Sequence, residues 1–575
     1  MTEGTSTWRL ALLALLLTGS ALALIGRIAY LQIIEHDTFA VQAAEEHWEK
    51  ESILPHRGAI RDRHGHPLAI TTTTFDISLH SGDTVNPEDA LRAAKVLSPV
   101  VGKSVDQIIG LYNKGITEAV PLKTGLSFDA GIKLEQAYLP GVEVVRQVRR
   151  SYPEGNLAAQ LIGFVGKDQR GLSGIEADFN RELGGRPGQV VFERDTEGRQ
   201  IPVGNRDEQP PTDGSDLILT IDRFVQRLIE RELENAVTQH KAAGGTIIVM
   251  EPETGAILGL ANRPTFDLTN LNLADERQMR LYRNRAITDL YEPGSIFKVF
   301  TMAAGLQEKR FSPTSAIDCK GYVVKYGWPI RTWDGSAHGR ETMTDVLIHS
   351  CNVGAVWASD QLGPDLFYRY VADFGFGQPS GVDLGGEAAG QVRTPKDKDW
   401  SPIDLSTNSF GQGLNATPLQ VITAINAIAN GGKLMRPYVV SEVQGPTENR
   451  RFEPVMVRQV VSPETARTVT EMMNAVVEKG ENKMAVVPGY HVAGKTGTAQ
   501  ISSGGGYTSE TTIASFAGFG PLDHPRFTIL IKIDEPKDSP WGGMVASPIF
   551  RSIAEQLFVH MNIAPSDPGV LGKTN

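Results

Sequence analysis

A serine and a lysine stand three positions apart in the run Ser295-Ile296-Phe297-Lys298. On a helix this spacing puts both side chains on one face. A serine hydroxyl is a weak nucleophile that needs an adjacent base, and a lysine can serve if its pKa is lowered. Pro293-Gly294 indicates a turn just before the helix, so Ser295 is predicted near the helix N-terminus, where backbone N–H groups can receive an oxyanion. Because the pattern also occurs by chance in many proteins, it predicts by itself only a candidate nucleophile and base.

Two later runs carry further polar groups suited to acyl transfer. Ser350-Cys351-Asn352 supplies a second hydroxyl and a carboxamide that could relay protons and hold a substrate amide. Lys495-Thr496-Gly497-Thr498 follows a strand-like run. Its glycine permits close backbone approach, and its lysine and hydroxyls suit a substrate carboxylate. Ser-x-x-Lys, Ser-x-Asn and Lys-Thr-Gly in this order form the signature of the penicilloyl serine transferases.

The chain resembles the class B penicillin-binding proteins over nearly its whole length. Beyond the three motifs, the resemblance rests on Arg57-Gly58-Ala59-Ile60-Arg61-Asp62-Arg63, Gly65, Leu68-Ala69, Arg150, Tyr152-Pro153, Gly171, Gly174-Ile175-Glu176, Arg283-Asn284-Arg285-Ala286, Phe410-Gly411-Gln412-Gly413 and Thr417-Pro418-Leu419-Gln420. Without the resemblance, the runs up to Glu176 would be interpreted as turns and salt-bridged loops. That interpretation agrees with the structural role that the resemblance implies for them.

The resemblance implies a role for each residue of the three motifs. Ser295 would be the nucleophile and Lys298 its base. Ser350 would relay the proton to the leaving group, Asn352 would hold the donor's amide, and Lys495 would keep the pocket positive. The substrate-binding residues would be Thr496, Gly497 and Thr498. Both threonines would bind the terminal carboxylate, and the backbone N–H groups of Ser295 and Thr498 would form the oxyanion hole.

The implied reaction is acyl transfer through a covalent intermediate, with no metal and no organic cofactor. Ser295 would attack the D-Ala-D-Ala bond of a peptidoglycan stem peptide and expel D-alanine. An amine on a neighbouring stem would then form the cross-link, and β-lactams would trap Ser295 because their ring mimics the substrate. The alternatives are a membrane-anchored β-lactamase, for which no deacylating glutamate can be assigned, and a β-lactam receptor, for which the predicted cytoplasmic tail is short.

The length and amino-acid composition of the chain limit the classes of protein to which it can belong. At 575 residues, two or three domains are expected. The 41% hydrophobic and 21% charged residues are typical of a folded protein. A net charge of −11 without a basic stripe argues against nucleic acid as a partner. With Cys319 and Cys351 as its two cysteines, the chain is predicted to be neither a disulfide scaffold nor a cysteine-ligated zinc protein.

One apolar run departs from this composition. Leu10 to Gly26 is almost entirely apolar and lies between Arg9 and Arg27. With its mostly apolar continuation to Ile34, it is long enough to span a bilayer. The alternative is a signal peptide cleaved near Ala21-Leu22-Ala23. The flanking arginines do not decide the orientation. The resemblance implies an uncleaved single-pass anchor in the cytoplasmic (inner) membrane, with the catalytic domain outside.

The predicted fold class is α+β and multidomain. Short β-like runs mixed with polar helices favour an elongated, non-catalytic pedestal, and Val203 to Gly214 is interpreted as a linker. Beyond it, strands at both ends enclose a helical middle, which favours an antiparallel sheet with packed helices; the resemblance identifies this as the transpeptidase domain. The predicted divisions are a cytoplasmic tail at 1–9, a transmembrane anchor at 10–34, the dimerisation-like pedestal at 39–216, the transpeptidase domain at 217–562 and a disordered tail at 563–575.

Hydrophobic periodicity and turn signals predict individual elements. Helices are predicted at Pro87–Leu97 with Asn86 as N-cap, at Ser127–Ala137, after Asp222, from Ser295 to about Leu306, and at Pro548–His560. Strands are predicted at Phe75–Leu79, Gln189–Glu193, Leu217–Asp222, Gly245–Met250, Ala256–Ala261, Ile513–Gly518 and Phe527–Ile533.

Some histidines and tryptophans invite a functional interpretation. His56, His64 and His66 could bind zinc, but their charged, turn-rich stretch favours surface histidines. Trp328 and Trp333 are expected either to border the substrate groove or to pack under a loop. For His491, packing is the expected role.

Cys351 lies between two candidate catalytic side chains. One hypothesis is that it forms a disulfide with Cys319 and thereby alters the Ser350–Asn352 loop, because the protein is expected to face an oxidising compartment. The alternative is a pair of buried, unpaired thiols.

Within class B, Ser350-Cys351-Asn352-Val353-Gly354 and Ser409-Phe410-Gly411-Gln412-Gly413 resemble the septal, division-specific branch more than the elongation branch. An elongation-specific transpeptidase is the alternative. The implied substrates are stem peptides and lipid-linked nascent glycan, with β-lactams as inhibitors. The implied partners are a glycosyltransferase of the shape, elongation, division and sporulation (SEDS) family and other divisome membrane proteins, contacted through the anchor and pedestal.

Overall fold

The computed structural model describes residues 4–40, 48–80, 85–114, 119–193, 206–446, 448–480, 483–503 and 506–567. The chain forms two compact units. One consists of Met1–His56 and Gly185–Gly214, and the other of Arg57–Gly184 and Ser215–Asn575. Most of the tail predicted to be disordered, residues 568–575, lies outside the described residues.

The first unit contains the N-terminal apolar helix. The helix covers Gly4–Ala29 and continues as a π-helix over Tyr30–Ile34. Within it, Thr7–Ile34 is long and apolar enough to cross a membrane, and its side chains are exposed in the isolated chain.

A three-stranded antiparallel sheet completes the first unit, in the order Trp48–Ile53, Gly188–Glu193, Arg206–Gln209. The strand predicted at Gln189–Glu193 is confirmed. The linker predicted from Val203 is wrong for Arg206–Gln209, which pairs with Gly188–Glu193. All four of its side chains are exposed, so the strand lacks the apolar alternation by which a strand is recognised in a sequence. Residues 203–205 lie outside the described part.

The second unit contains a seven-stranded sheet. Its order is Asn449–Arg451, Val440–Gln444, Asp216–Leu219, Ile60–Arg61, Pro67–Leu79 and Val120–Leu126, and Val142–Ser151 also pairs with Pro67–Leu79. Ile60–Arg61 and Asp216–Leu219 are parallel, and the other pairs are antiparallel. The helices Pro87–Val101, Val105–Tyr112 and Phe128–Gln136 lie beside this sheet, and their apolar faces enclose a core around Phe75.

Both helices predicted in this region are confirmed, and so is the Asn86 N-cap. The side chain of Asn86 accepts a hydrogen bond from the N–H of Asp89 at 2.8 Å, and Pro87 occupies the first helical position. This arrangement satisfies one of the N–H groups that a helix leaves unpaired at its start.

A buried ion network joins three of the resemblance runs. Glu176, in the short helix Gly174–Asp178, is fully buried. Its two carboxylate oxygens each lie 2.6 Å from an arginine Nε, one from Arg57 and the other from Arg150. Two further short helices, Ala159–Ile162 and Asn180–Gly184, flank this one along the chain. The runs interpreted as salt-bridged loops therefore meet at one buried carboxylate.

A five-stranded antiparallel sheet lies at the centre of the remaining chain. Its order is Ile257–Arg263, Gly244–Met250, Phe527–Asp534, Gly506–Gly520, Ala493–Ser503. This confirms the strands predicted at Gly245–Met250, Ala256–Ala261, Ile513–Gly518 and Phe527–Ile533, and the hairpin between the first two. The Lys-Thr-Gly run lies on Ala493–Ser503, the last strand of this order.

Both faces of this sheet are covered by helices. Along Gly244–Met250, Ile247 and Val249 belong to the core shared with Arg223–Gln239 and Gly542–His560. Ile248 and Met250 belong to a second core, which includes side chains of Lys298–Gln307 and Pro418–Ala429. Because successive side chains of a strand point to opposite faces, a strand buried on both faces is apolar throughout.

The other helices of this region are Glu276–Leu281, Arg285–Thr288, Met343–Ile348, Asn352–Asp373, Pro402–Asn408 and Pro463–Lys479, with a short 3-10 turn at Lys483–Ala485. Three antiparallel strand pairs lie among them: Ala316–Cys319 with Gly339–Thr342, Tyr322–Lys325 with Trp328–Arg331, and Lys433–Met435 with Met456–Gln459. The closing helix begins at Gly542, earlier than predicted. Proline is most frequent in the first turn of a helix, but Pro548 lies inside this one.

Candidate active site

Ser295 lies in a tight turn that leads into a helix. Gly294–Phe297 forms a short 3-10 turn and Lys298–Gln307 the helix that follows, in agreement with the helix predicted from Ser295. Gly294 has a φ of 57°, a left-handed conformation that favours glycine. A Cβ atom at Gly294 would lie 2.9 Å from the carbonyl oxygen of Thr498. A larger residue would therefore push the Ser295 turn away from the Lys-Thr-Gly strand.

Lys298 is fully buried beneath Ser295. Its Nζ donates to the Ser295 Oγ at 3.0 Å, to the Ser350 carbonyl oxygen at 2.5 Å and to the Ser350 Oγ at 3.1 Å. Burial, and next the charge of Lys495, hold the pKa of Lys298 well below its ordinary value. A neutral amine at this distance can accept the proton of the serine hydroxyl.

Ser350 bridges the two lysines. It lies between the helices Met343–Ile348 and Asn352–Asp373 with a φ of 56°. Left-handed conformations are uncommon for serine and are often found at functional sites. Its Oγ is 3.1 Å from the Nζ of Lys298 and 3.1 Å from the Nζ of Lys495. A proton can therefore pass between the lysines through this hydroxyl.

Lys495 is buried in the strand Ala493–Ser503. Burial lowers its pKa to about 7. Besides Ser350, its Nζ contacts the Thr496 carbonyl oxygen at 3.3 Å and the Thr496 Oγ1 at 3.2 Å. At Gly497, a Cβ atom would lie 2.4 Å from the Ser515 Oγ, so a side chain here would collide with the neighbouring strand.

Asn352 and Thr498 are held by backbone groups. The Nδ2 of Asn352 donates to the carbonyl oxygen of Arg331 at 2.8 Å, which ties the carboxamide to the hairpin strand Trp328–Arg331. The Oγ1 of Thr498 accepts from the N–H of Gly542 at 3.1 Å. Ser295, Ser350, Asn352, Thr496 and Thr498 are all partly exposed. A substrate can therefore reach these side chains, while both lysines stay buried.

The structure thus brings together all eight residues proposed from the three motifs. Two additional contributors, Trp541 and Gly542, were missed by the sequence analysis because it began the closing helix too late. The ring of Trp541 lies 5.1 Å from that of Trp333, and Gly542 holds Thr498. The Asp-Ser-Pro-Trp-Gly-Gly run before this helix is a turn signal that could have indicated them.

The glycine-rich run at Phe410–Gly413 also contacts the nucleophile turn. The N–H of Gly294 donates to the carbonyl oxygen of Gly411 at 3.2 Å. A Cβ atom at Gly411 would lie 2.3 Å from the carbonyl oxygen of Gly294. Nearby, the Oγ1 of Thr301 donates to the carbonyl oxygen of Ser409 at 2.8 Å. This run therefore supports the turn through backbone contacts.

Other residues singled out from the sequence contact groups other than the eight motif residues. The rings of His64 and His66 lie within 3.3 Å of separate carboxylates, those of Asp222 and Asp62. Trp328 is exposed, and Trp333 donates from its Nε1 to the carbonyl oxygen of His349 at 3.0 Å. His491 contacts Glu478 and Asp567 at the surface.

One group of potential metal ligands was found in the part of the chain that the structure describes. It consists of Cys319, His338, Glu341 and Cys351. Both cysteines are free and buried, and their Sγ atoms are 3.1 Å apart.

Two family matches cover most of the chain. Residues 52–219 match the penicillin-binding protein dimerisation domain, and residues 245–555 match the penicillin-binding protein transpeptidase domain.

Curated relatives and solved structures are similar over nearly the whole length. The chain is 34% identical to stage V sporulation protein D of Bacillus subtilis, over 97% of this chain and 87% of that protein. It is 31% identical to the peptidoglycan D,D-transpeptidase FtsI of Escherichia coli K12, over 97% of this chain and 93% of that protein. A structure of penicillin-binding protein 3 from Mycobacterium tuberculosis complexed with aztreonam is similar with a TM-score of 0.70 and 27% identity, over 90% of this chain and 99% of that one.

Proposed function

The chain belongs to the penicillin-binding proteins that combine a dimerisation domain with a transpeptidase domain, and from that premise we propose how its site works and where it acts. It is a serine-type peptidoglycan D,D-transpeptidase of class B. Its substrate class is the peptidoglycan stem peptide, and its inhibitor class is the β-lactam.

The proposed acylation step uses Lys298 as base and Ser295 as nucleophile. Neutral Lys298 takes the Oγ proton as Oγ bonds to the carbonyl carbon of the penultimate D-alanine. The backbone N–H groups of Ser295 and Thr498 stabilise the oxyanion. When this intermediate collapses, its C–N bond breaks, and the proton passes from Lys298 through the Ser350 hydroxyl to the leaving amine of D-alanine.

The proposed deacylation step runs the same proton path in reverse. The amine of a second stem peptide loses a proton through Ser350 to Lys298 as it attacks the ester carbonyl. The ester C–O bond breaks and Oγ regains its proton. During both steps Asn352 holds the donor amide, and Thr496 and Thr498 bind the carboxylate. Lys495 keeps the pocket positive, and Gly497 leaves room for the substrate backbone.

The main support for this proposal is one set of contacts in the site. A single buried amine, the Nζ of Lys298, contacts both the Ser295 and Ser350 hydroxyls, at 3.0 Å and 3.1 Å. This contact links the nucleophile to a proton relay without an intervening solvent molecule.

At the level of the cell, we propose a septal role, supported by the similarity to the division enzyme FtsI and to the sporulation protein. The helix Thr7–Ile34 would anchor the chain in the cytoplasmic membrane, with the catalytic residues outside. Anchor (10–34), pedestal (39–216) and transpeptidase domain (217–562) would be the functional divisions. The anchor and pedestal would contact a SEDS-family glycosyltransferase and other divisome membrane proteins, and lipid-linked nascent glycan would supply the acceptor strands. An elongation role is the alternative.

The first test is the lifetime of the fluorescent penicillin adduct on the purified full chain, with Ser295→Ala beside it. We expect a long-lived adduct that the variant does not form. Rapid release of the drug would indicate a β-lactamase, and equal labelling of the variant would exclude Ser295 as nucleophile. Ser312→Ala, which removes an exposed hydroxyl that contacts Thr314 and Ser315 outside the site, serves as the matched control and should form the adduct like the wild type.

A further inference from the structure

Four side chains with metal-binding atoms converge just behind the Ser350–Asn352 loop. The sulfur atoms of Cys319 and Cys351, a ring nitrogen of His338 and a carboxylate oxygen of Glu341 all lie within 4.8 Å of one another. They come from three pieces of the fold. Cys319 and Glu341 lie on the paired strands Ala316–Cys319 and Gly339–Thr342, His338 lies just before the second strand, and Cys351 caps the helix Asn352–Asp373.

Two of these four side chains carry a buried polar atom that makes no hydrogen bond. Among the described residues, neither the Nδ1 of His338 nor the Oε2 of Glu341 makes a hydrogen bond, although this Nδ1 lies 3.2 Å from the Oε1 of Glu341. Glu341 is only 1% exposed. A buried carboxylate oxygen or imidazole nitrogen without a hydrogen bond is costly and needs a physical explanation, of which a bound ion is one.

The neighbours of these residues orient the free atoms towards the cluster. The Nε2 of His338 lies 3.3 Å from the Oδ2 of Asp334. With the proton on Nε2, donated to Asp334, the lone pair of Nδ1 faces the cluster. Likewise, His349 Nδ1 lies 2.7 Å from the Oε1 of Glu341, which leaves Oε2 available. A carboxylate that holds the far nitrogen of a histidine is a frequent outer partner of metal ligands.

We propose that these four residues form a tetrahedral zinc site. Two thiolates, one imidazole and one carboxylate are ligands that zinc accepts, whereas magnesium and calcium prefer oxygen ligands alone. Thiolates about 2.3 Å from a tetrahedral zinc lie roughly 3.8 Å apart. The sulfur atoms here are 3.1 Å apart, so a small rotation of the cysteine side chains opens the space. Binding releases both thiol protons.

The site positions catalytic residues and does not touch substrate itself. Cys351 stands between Ser350 and Asn352, and Ser350 has the strained φ of 56°. The Ser350 carbonyl oxygen also accepts from Lys298 at 2.5 Å. An ion bound to Cys351 would connect this loop to the paired strands Ala316–Cys319 and Gly339–Thr342, and would hold the Ser350 hydroxyl in position. The metal readouts below do not depend on the proposed catalytic roles, so the two proposals can fail separately.

Zinc binding and a disulfide between Cys319 and Cys351 exclude each other. Zinc needs both sulfurs as thiolates, whereas a disulfide removes the proton and one electron from each sulfur and needs an external oxidant. The Nδ1 of His338 and the Oε2 of Glu341, which make no hydrogen bond, favour the metal, because a disulfide between the cysteines would supply neither atom with one.

The test is metal analysis of the full chain, extracted in detergent, supplied with zinc and dialysed. We expect one zinc ion per chain. Cobalt in its place should show thiolate-to-metal charge-transfer absorption, and a strong chelator should lower the melting temperature. Cys319→Ser and His338→Gln should lose the metal. Asp334→Asn should weaken zinc affinity about 10–100-fold, as the loss of an outer partner typically does.

His80→Gln serves as the control, because His80 also contacts a carboxylate, that of Glu143, but lies outside the cluster. It should keep zinc at the wild-type level. Circular dichroism identifies any variant that has simply failed to fold. The proposal is overturned if reduced wild-type protein retains no zinc, or if folded Cys319→Ser and His338→Gln both retain it. It is also overturned if the isolated chain has a mass two hydrogens lower and unreactive thiols, which would show a disulfide.

Discussion

At the scale of single residues, two buried lysines determine the charge of the site. Desolvation lowers the pKa of Lys298 and that of Lys495, because a low-dielectric surrounding penalises the protonated form. The charge on Lys495 lowers the pKa of Lys298 further. Lys298 can therefore be the neutral base while Lys495 still carries charge over part of the pH range.

This coupling predicts a pH shift. Lys298 acts as base only when deprotonated, so acylation is lost as the pH falls through its lowered pKa. Lys495→Gln removes the positive charge, the pKa of Lys298 rises, and the acid limb of the rate profile moves to higher pH. Lys495→Arg retains a charge and should leave the acid limb near its wild-type position. The measurement is the β-lactam acylation rate as a function of pH. Superimposable acid limbs for the two variants would contradict the coupling.

Gly294 permits a second prediction at this scale. Gly294→Ala should lower the free energy of unfolding by roughly 1–2 kcal/mol through its positive φ. It should also reduce acylation by about 10²–10³-fold, the cost of losing one oxyanion donor, because the new Cβ pushes against Thr498. Gly102→Ala is the control, since Gly102 has a φ of 71° and open space around it. It should share the stability loss and leave acylation unchanged. If both variants acylate normally, the close approach at Gly294 has no catalytic role.

Among the secondary-structure elements, some helices begin with a side chain that accepts a hydrogen bond from the first turn, and others do not. Asn86 accepts from a backbone N–H at 2.8 Å. Ser127, at the corresponding position before Phe128–Gln136, makes no such hydrogen bond. These two helices lie next to the same sheet, so they allow an N-cap that makes a hydrogen bond to be compared with one that makes none.

We expect Asn86→Ala to lower the free energy of unfolding by about 1 kcal/mol, the usual effect of losing an N-cap. Ser127→Ala should change it much less, because no cap hydrogen bond is lost. Denaturant unfolding of the full chain measures both. Equal losses would show that the Asn86 hydrogen bond does not stabilise its helix.

At the scale of the whole molecule, the buried Glu176 connects distant parts of the sequence. Arg57 and Arg150 contact its two oxygens, although they lie far from each other along the chain. Within a buried network, removing one charge leaves the others without compensation.

Glu176→Gln should therefore destabilise the protein by about 3–5 kcal/mol, the typical cost of breaking a buried ion pair. Glu135→Gln is the control, since Glu135 pairs with Arg146 at the surface and exposed pairs contribute little. Thermal and denaturant unfolding would show the difference. A similar, small effect of both substitutions would mean that the buried network is held by packing rather than by charge.

Features that depend on residues close together in the chain could be predicted from the sequence. The Ser295–Lys298 pair follows from helical spacing, the Asn86 cap from residue type at a helix start, and the central strands from apolar runs. The order of the three motifs predicted the family. Arg206–Gln209 shows the limit of this reasoning, because a strand with four exposed polar side chains has no local apolar signature.

Properties that depend on residues far apart in the chain could not be predicted before the fold was known. Burial lowers the pKa of both Lys298 and Lys495, and the charge of the nearby Lys495 lowers that of Lys298 further. No local sequence pattern encodes this burial or this proximity. The sequence analysis gave no metal-binding role to Glu341 or His338, and the presence of only two cysteines argued against a cysteine-ligated zinc site. Folding brings these four side chains within one coordination shell, because long-range packing determines which side chains share a buried space.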